Sequence, residues 1–146
     1  MGPIEANEEI LRYAKKKNIL NKINILPPAS SEVIFNEEEK ADVLILFEDL
    51  NRMMQNSEAT LPGKLMEYLP FKAPIVAVNR ADSEIGIVLK ETSRGHLASN
   101  IKELNDAMNN ILHEHSLNFD WEKIKKYSRE SQTKHLCELL DKLYVG

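Results

Sequence analysis

Three residues of this chain combine types and spacing that can do chemistry together: Gly63, Lys64 and Glu67. They lie in Thr60-Leu61-Pro62-Gly63-Lys64-Leu65-Met66-Glu67-Tyr68-Leu69, directly ahead of Phe71-Lys72-Ala73-Pro74-Ile75-Val76-Ala77-Val78. The first stretch reads as a short helix: Pro62 suits the first helical position, where a missing N–H costs nothing, and Leu65, Met66, Glu67 and Leu69 are competent helix formers. At 100° per residue, Leu65, Met66 and Leu69 gather within roughly 60° of the Pro62 direction, while Gly63, Glu67 and Lys64 fall at about 100°, 140° and 200°. The apolar side is therefore expected to be buried and the polar trio to share the other face. Free N–H groups at a first turn without a side chain, the positive dipole end and the Lys64 ammonium together suit a phosphate. Glu67, one turn further in, reaches hydroxyl groups attached to whatever the phosphate carries. The same spacing also fits an ordinary capped helix with Lys64 and Glu67 as an exposed pair.

The elements that must position this trio follow from periodicity. Asn7 caps an expected first helix through Glu8, Ile10, Leu11 and Ala14, ending in Lys15 to Lys17, with acids at its start and bases at its end as the dipole prefers. Lys22-Ile23-Asn24-Ile25-Leu26 reads as a strand stopped by Pro27-Pro28. Ser30 or Ser31 caps a second helix through Lys40. Ala41-Asp42-Val43-Leu44-Ile45-Leu46-Phe47 is a continuous apolar run of strand length, expected to be covered on both faces. A polar loop with Met53 and Met54 then leads to the Pro62 helix, and Pro74 to Val78 forms the next strand. Asp82 or Ser83 caps a helix through Ile85, Val88 and Leu89, Gly95 ends its turn, and His96-Leu97-Ala98 forms a short edge strand. Asn100 and Glu103 have capping-box spacing ahead of a helix with Ile101, Leu104, Met108, Ile111 and Leu112 on one face. Phe119-Asp120-Trp121, then Ile124, Tyr127, Leu136, Leu139, Leu140 and Leu143, read as one or two amphipathic helices, with Trp121 as a packing anchor. Strands alternating with helices predict a parallel sheet with helices on both faces and right-handed crossovers.

The stretch Leu61-Pro62-Gly63-Lys64-Leu65-Met66-Glu67-Tyr68-Leu69, followed by Pro74-Ile75-Val76-Ala77, resembles the nucleotide-sugar-binding half of GT-B-fold glycosyltransferases. The matching branch is the one with the pattern P-x-K-L-x-E-Y-L, and about ten positions fall in register. Weaker similarity runs from about Ile23 to the C-terminus. The resemblance implies a Rossmann-like α/β fold and one donor-nucleotide-binding domain over residues 1–146. The substrate is a nucleoside-diphosphate sugar, with Lys64 and the groups near Leu61, Pro62 and Gly63 on the diphosphate, Glu67 on the ribose, and Pro27 and Pro28 framing the nucleobase. The aromatic-Asp-Trp stretch at Phe119 to Trp121 opens a closing helix that, in the family, packs toward the other domain. No metal or cofactor is required, because helix dipole and cations offset the leaving diphosphate charge. Departures are as specific as the match. The first of two glutamates that many relatives carry eight positions apart falls at Ala59, one residue from Glu58. The family's first strand and helix, with the Arg and Lys that clamp the diphosphate, have no counterpart before Ile4. The acceptor-binding domain, which usually supplies the catalytic base or acid, is absent, so the chain is expected to be a piece of a longer enzyme or a degenerate fragment, and inactive alone. Peripheral membrane association is expected only through that absent part.

Composition narrows the field. At 146 residues, 42% apolar, the chain suits one core, and 29% charged residues with a net charge of −4 give no general pull toward nucleic acid. No signal peptide or spanning segment is read, and one cysteine, Cys137, excludes an internal disulfide and reads as a small buried hydrophobe; a reducing cytoplasm is the expected compartment. His113-Glu114-His115 sets two imidazoles two apart, on different helix faces, and no Walker loop, dinucleotide fingerprint, Gly-x-Ser-x-Gly elbow or Cys-x-x-Cys pair occurs. Two other classes compete. In a receiver-like signalling domain, the strand over Asp42 to Phe47 presents Glu48-Asp49 for phosphorylation. In a protein-interaction domain, the closing helices are the contact surface.

Overall fold

In the computed structural model, residues 3–47, 61–113 and 118–144 are described, with side chains from residue 7 onward. Their contacts group into two compact units, Met1–Phe35 and Asn36–Gly146. The first contains α1 (Pro3–Lys16), a 3-10 turn at Leu20–Lys22 and the start of α2 (Ser31–Glu39). The strand expected over Lys22 to Leu26 is not formed. Ile23 and Ile25 are half-buried while Asn24 and Leu26 are exposed, so the period-two alternation survives, but the segment has no ladder partner among the described residues. A strand exists only when a neighbour takes its N–H and C=O groups, which alternation alone does not supply.

The second unit is built on β2 (Ile75–Val78), a run of four apolar residues with no charge. It lies between β1 (Leu44–Phe47) and β3 (Gly95–Ala98), both parallel to it, in the order β1-β2-β3 with Leu44 opposite Ile75 and Ile75 opposite Gly95. Ile75, Val76 and Ala77 are all 0% exposed. Ile75 and Ala77 face a cluster of Leu44, Leu46, Leu65, Leu69, Phe71, Ile85, Val88, Leu89 and Ile124. That cluster is supplied in part by the crossover helices α3 (Gly63–Tyr68) and α4 (Glu84–Thr92). Strand alternation turns Val76 and Ala98 to the other face, where α5 (Ile101–His113) packs on β2 and β3 through Ala107.

Helical cover on that second face stops short of β1. Leu44 and Leu46 are buried, but Ile45 is 39% and Phe47 67% exposed, so the run expected to be covered on both faces is covered on one. In the described sheet β1 is an edge, and an apolar run cannot tell a central strand from an edge strand. The α5 face is also narrower than its sequence suggests: Leu104, Met108 and Ile111 are half-buried around Ala107, whereas Ile101 and Leu112 stand in solvent. Its cap is as expected, Glu103 N–H donating to Asn100 Oδ1 at 3.0 Å, but the return bonds to Glu103 come from Ser99 N–H and Oγ. These bonds hold the Glu103 carboxyl below its usual pKa. Gly95 does not end α4; Ser93, in the left-handed region at φ 53, does. Gly95 opens β3 at φ +155, where a Cβ would sit 1.8 Å from the Ile75 carbonyl oxygen. Only glycine permits that approach.

The closing segment docks on the end of α4. Asp120 N–H donates to Thr92 O at 3.1 Å, the Asp120 carboxylate caps α6 (Trp121–Lys125) by accepting from Lys123 N–H, and Ile124 enters the core. Tyr127 Oη donates to Glu91 Oε2 at 2.7 Å; burial first, then this carboxylate, pushes the phenol up to about 12. The last helix, α7 (Arg129–Tyr144), has no buried residue, and Cys137 is exposed on it rather than buried as expected.

Arg94 joins these parts. It is 0% exposed, with Nη2 donating to Ala73 O at 2.8 Å and Tyr68 O at 3.3 Å, and its guanidinium lies 4.1 Å from the Phe119 ring centre and 5.9 Å from that of Trp121. Phe119, not Trp121, makes the close contact; Trp121 is 43% exposed and meets Phe119 edge-on. Nε and Nη1 have no hydrogen-bond partner among the described residues, and burial lowers the guanidinium pKa to about 10. The charge therefore opposes folding at neutral pH, a cost that eases only as pH rises through about 10, while the stem and ring contacts favour it. Arg94→Ala is expected to lose about 3 kcal/mol or more in urea melts, as a large core side chain does, and Arg94→Met less than half of that, because it keeps the volume and removes the desolvated charge. Equal losses would place the whole contribution in the guanidinium. Gly95→Ala is expected to leave no cooperative transition at 37 °C, or a melting point at least 10 °C lower, because the collision is with backbone.

Candidate functional site

The helix singled out by the sequence is the crossover between two parallel strands. α3 leads into β2, and its Lys64 meets Glu38 near the end of α2, the helix that leads into β1. Pro62 is the N-cap, with extended backbone at φ −67 and ψ 137, and Gly63 is the first helical residue, one position later than expected. Proline satisfies both positions equally, since each tolerates its fixed φ. With six residues α3 lends little dipole, so the positive charge of the site is that of Lys64 itself.

Face sorting follows the angular argument. Leu65 and Leu69 are 0% and 2% exposed, and Leu61 and Met66 pack against the same cluster. Gly63 and Glu67 are exposed, Lys64 is half-buried, and nothing stands within 4 Å of where a Gly63 Cβ would be. Lys64 is not an isolated cation. Its Nζ donates to Glu67 Oε2 at 3.1 Å and to Glu38 Oε1 at 2.5 Å, and it lies 5.1 Å from the Tyr68 ring centre. Partial burial pulls the ammonium pKa down, but the bonds to Glu38 and Glu67 outweigh it and hold it above the usual lysine value. Burial also raises the Tyr68 phenol, against the pull of Lys64. One ammonium and two carboxylates leave this group with a net charge of −1 at neutral pH.

The remaining site expectations fall elsewhere. Pro27 and Pro28 are exposed in the Met1–Phe35 unit, after a segment without regular secondary structure rather than at a strand end, so the strand that was to present them to a base is not formed. Met53, Met54, Glu58 and Ala59 lie outside the described residues, as do Glu48 and Asp49, the acids of the receiver-like alternative. Of His113-Glu114-His115 only His113 is described, and it is exposed; the described residues contain no group of three or more acids, histidines or cysteines able to hold a metal. No described helix is long and apolar enough to cross a membrane.

Sequence reasoning passed over two charged groups here. Arg80, in the loop after the end of β2, grips Asp82 with both Nε (3.0 Å) and Nη2 (2.6 Å), and this hydrogen bonding holds Asp82 below the usual carboxylate range. A loop at a strand end was the available signal. Glu38 is the other, and its signal was the run Glu37-Glu38-Glu39 at a helix end, where acids are unfavourable. Compared with protein-family models, with curated proteins and with solved structures, the chain gives no match.

The raised pKa of Lys64 makes a testable statement about stability. The folded value exceeds the unfolded one, so the contribution is fully present below the unfolded value of about 10.4 and disappears as pH rises through the folded value. The wild type is expected to exceed Lys64→Gln by about 1 kcal/mol or less at pH 7 to 9, the pair being partly in water, and to lose that margin once the ammonium deprotonates above the ordinary lysine range. Urea melts over rising pH check it; a margin that outlasts deprotonation of Lys64 would assign it to packing of the lysine stem.

Proposed function

We propose that this chain is the donor-nucleotide half of a GT-B glycosyltransferase, binding a nucleoside-diphosphate sugar for transfer to an acceptor held by another part of the parent protein. The observation that supports the reading is the sorting of α3, with Leu65 and Leu69 buried, Gly63 and Glu67 exposed and Lys64 half-buried between them. In this reading Lys64 approaches the diphosphate, with Leu61, Pro62 and Gly63 shaping the turn beside it, and Glu67 accepts hydrogen bonds from the two ribose hydroxyls. As the sugar leaves, negative charge grows on the diphosphate, and a cation already in place stabilises that charge without reorganising. The reading needs no metal.

A second reading, a protein-interaction domain, is favoured by one observation: Leu136, Leu139, Leu140 and Leu143 form an i, i+3, i+4, i+7 stripe on α7 and are 44–80% exposed. Nucleotide titration separates the two. UDP or GDP is expected to bind the chain weakly, in the millimolar range, because Lys64 is the one clamp cation that the motif supplies. Saturable binding by either, lost in Lys64→Ala, supports donor binding, and no binding by either favours the interaction domain. In the parent enzyme Glu67→Ala is expected to weaken donor binding by roughly 10- to 150-fold, the loss of about 1.5–3 kcal/mol from a charge-assisted pair of bonds, with the melting temperature nearly unchanged. Lys64→Ala is expected to lower turnover more than donor affinity. If Glu67→Ala leaves donor affinity intact, or unfolds the protein, Glu67 is structural and the reading loses its central residue.

A further inference from the structure

The charge on Lys64 is in use. α2 ends on Glu37-Glu38-Glu39 with no base in its last turn, so three carboxylates stand where the helix carbonyls already present negative charge. Lys40 answers Glu37 at 3.1 Å. Glu38, whose side chain is 15% exposed, is answered by Lys64 alone among the described residues, at 2.5 Å. Glu67, Lys64's other partner, is 60% exposed and can turn into water at little cost. Glu38 cannot, because a half-buried carboxylate that loses its cation beside helix carbonyls must be rehydrated by moving the backbone that carries it. Two of the three ammonium protons go to carboxylates and the Tyr68 ring lies close by, so a ligand phosphate that takes the full charge of Lys64 does so in competition with those carboxylates.

We propose that Glu38 is an intramolecular competitor for the phosphate-binding charge of Lys64, so that binding of a diphosphate there releases the last turn of α2. The ligand class rests on the donor-binding reading above; the competition follows from the geometry of the three charged groups. A singly charged anion offers Lys64 no more than Glu38 already does, whereas a diphosphate brings two or more charges to the same ammonium and displaces the carboxylate. Coupling of this kind is reciprocal: whatever pulls the end of α2 away frees Lys64 for ligand.

Inorganic pyrophosphate, which carries the charge without base or sugar, is the probe. It is titrated by calorimetry onto the full chain as wild type, Glu38→Gln and the double variant Glu38→Gln/Lys64→Gln, and amide hydrogen exchange is followed at residues 37–41. Glu38→Gln removes an acid from a helix C-terminus, and the double variant leaves no unpaired carboxylate at position 38, so both are expected to stay folded. The proposal expects Glu38→Gln to bind about 5- to 20-fold tighter than wild type, the discounted effect of one partly exposed competing bond, and the double variant to lose binding. Saturating pyrophosphate is also expected to speed exchange at 37–41 several-fold in wild type and not in Glu38→Gln. Equal affinity of wild type and Glu38→Gln, with binding still lost in the double variant, overturns the competition and leaves the donor-binding site standing. Binding that is absent in both wild type and Glu38→Gln, or that persists in the double variant, overturns the site and the competition together.

Discussion

The packed unit is joined through the side chain of a buried arginine whose charge meets no carboxylate among the described residues. Arg94 reaches back to the carbonyls of Tyr68 and Ala73, at the end of α3 and the approach to β2, and forward to the face of Phe119. Those carbonyls need donors, since one closes a helix and the other precedes a central strand. A guanidinium supplies several donors on a long apolar stem and is more weakly hydrated than an ammonium, so it can be withdrawn from water at lower cost. Two of its nitrogens are nevertheless left without partners among the described residues. The site helix, the central strand and the closing segment thus meet on one side chain.

The sheet is built unevenly around that joint. β2 is sealed on both faces, β3 is held to it so closely that its first residue must be glycine, and β1 turns Ile45 and Phe47 outward. Hydrophobic area on β1 and along α7 remains exposed, while the buried cluster lies on the face of the sheet that carries Ile75 and Ala77, with side chains from α3, α4 and α6. Rigidity in the second unit follows the same gradient, since local opening costs most where burial and hydrogen bonding are densest. α3 sits on the well-packed side, which fixes the direction of its outward face even though the helix is only six residues long.

Charge on that outward face is arranged for more than one partner. Lys64 offsets an acid at the wrong end of α2, pairs with Glu67 along its own helix and lies against the ring of Tyr68. A lysine suits such sharing better than an arginine, because its three protons radiate from one point and its flexible stem can re-aim them. In the donor-binding reading the cation that meets the ligand is the same one that steadies the resting structure.

Much of this was legible in the residues. The buried and exposed sides of α3, strands β1 to β3, the second helix, the Asn100 cap and the start of α6 at Asp120 all follow from local periodicity and capping, because each is decided by a side chain and its neighbours within about one turn. Tertiary structure decided the rest. Among the described residues, Ile23 to Leu26 alternates like a strand and has no ladder partner, Ile45 and Phe47 are as apolar as Val76 and lie at an edge, and Ile101 shares a helix period with Leu104 and stands in solvent. Arg94 carries no local sign of burial, being one charged residue between a serine and a glycine. Its surroundings come from positions 21 to 27 residues away, Ala73, Tyr68, Phe119 and Trp121. The Glu38–Lys64 pair likewise spans 26 residues. Periodicity shows which face of an element will be buried, but the neighbour on that face, and whether a charge there finds an ion, a ring or nothing, is fixed only when distant segments meet.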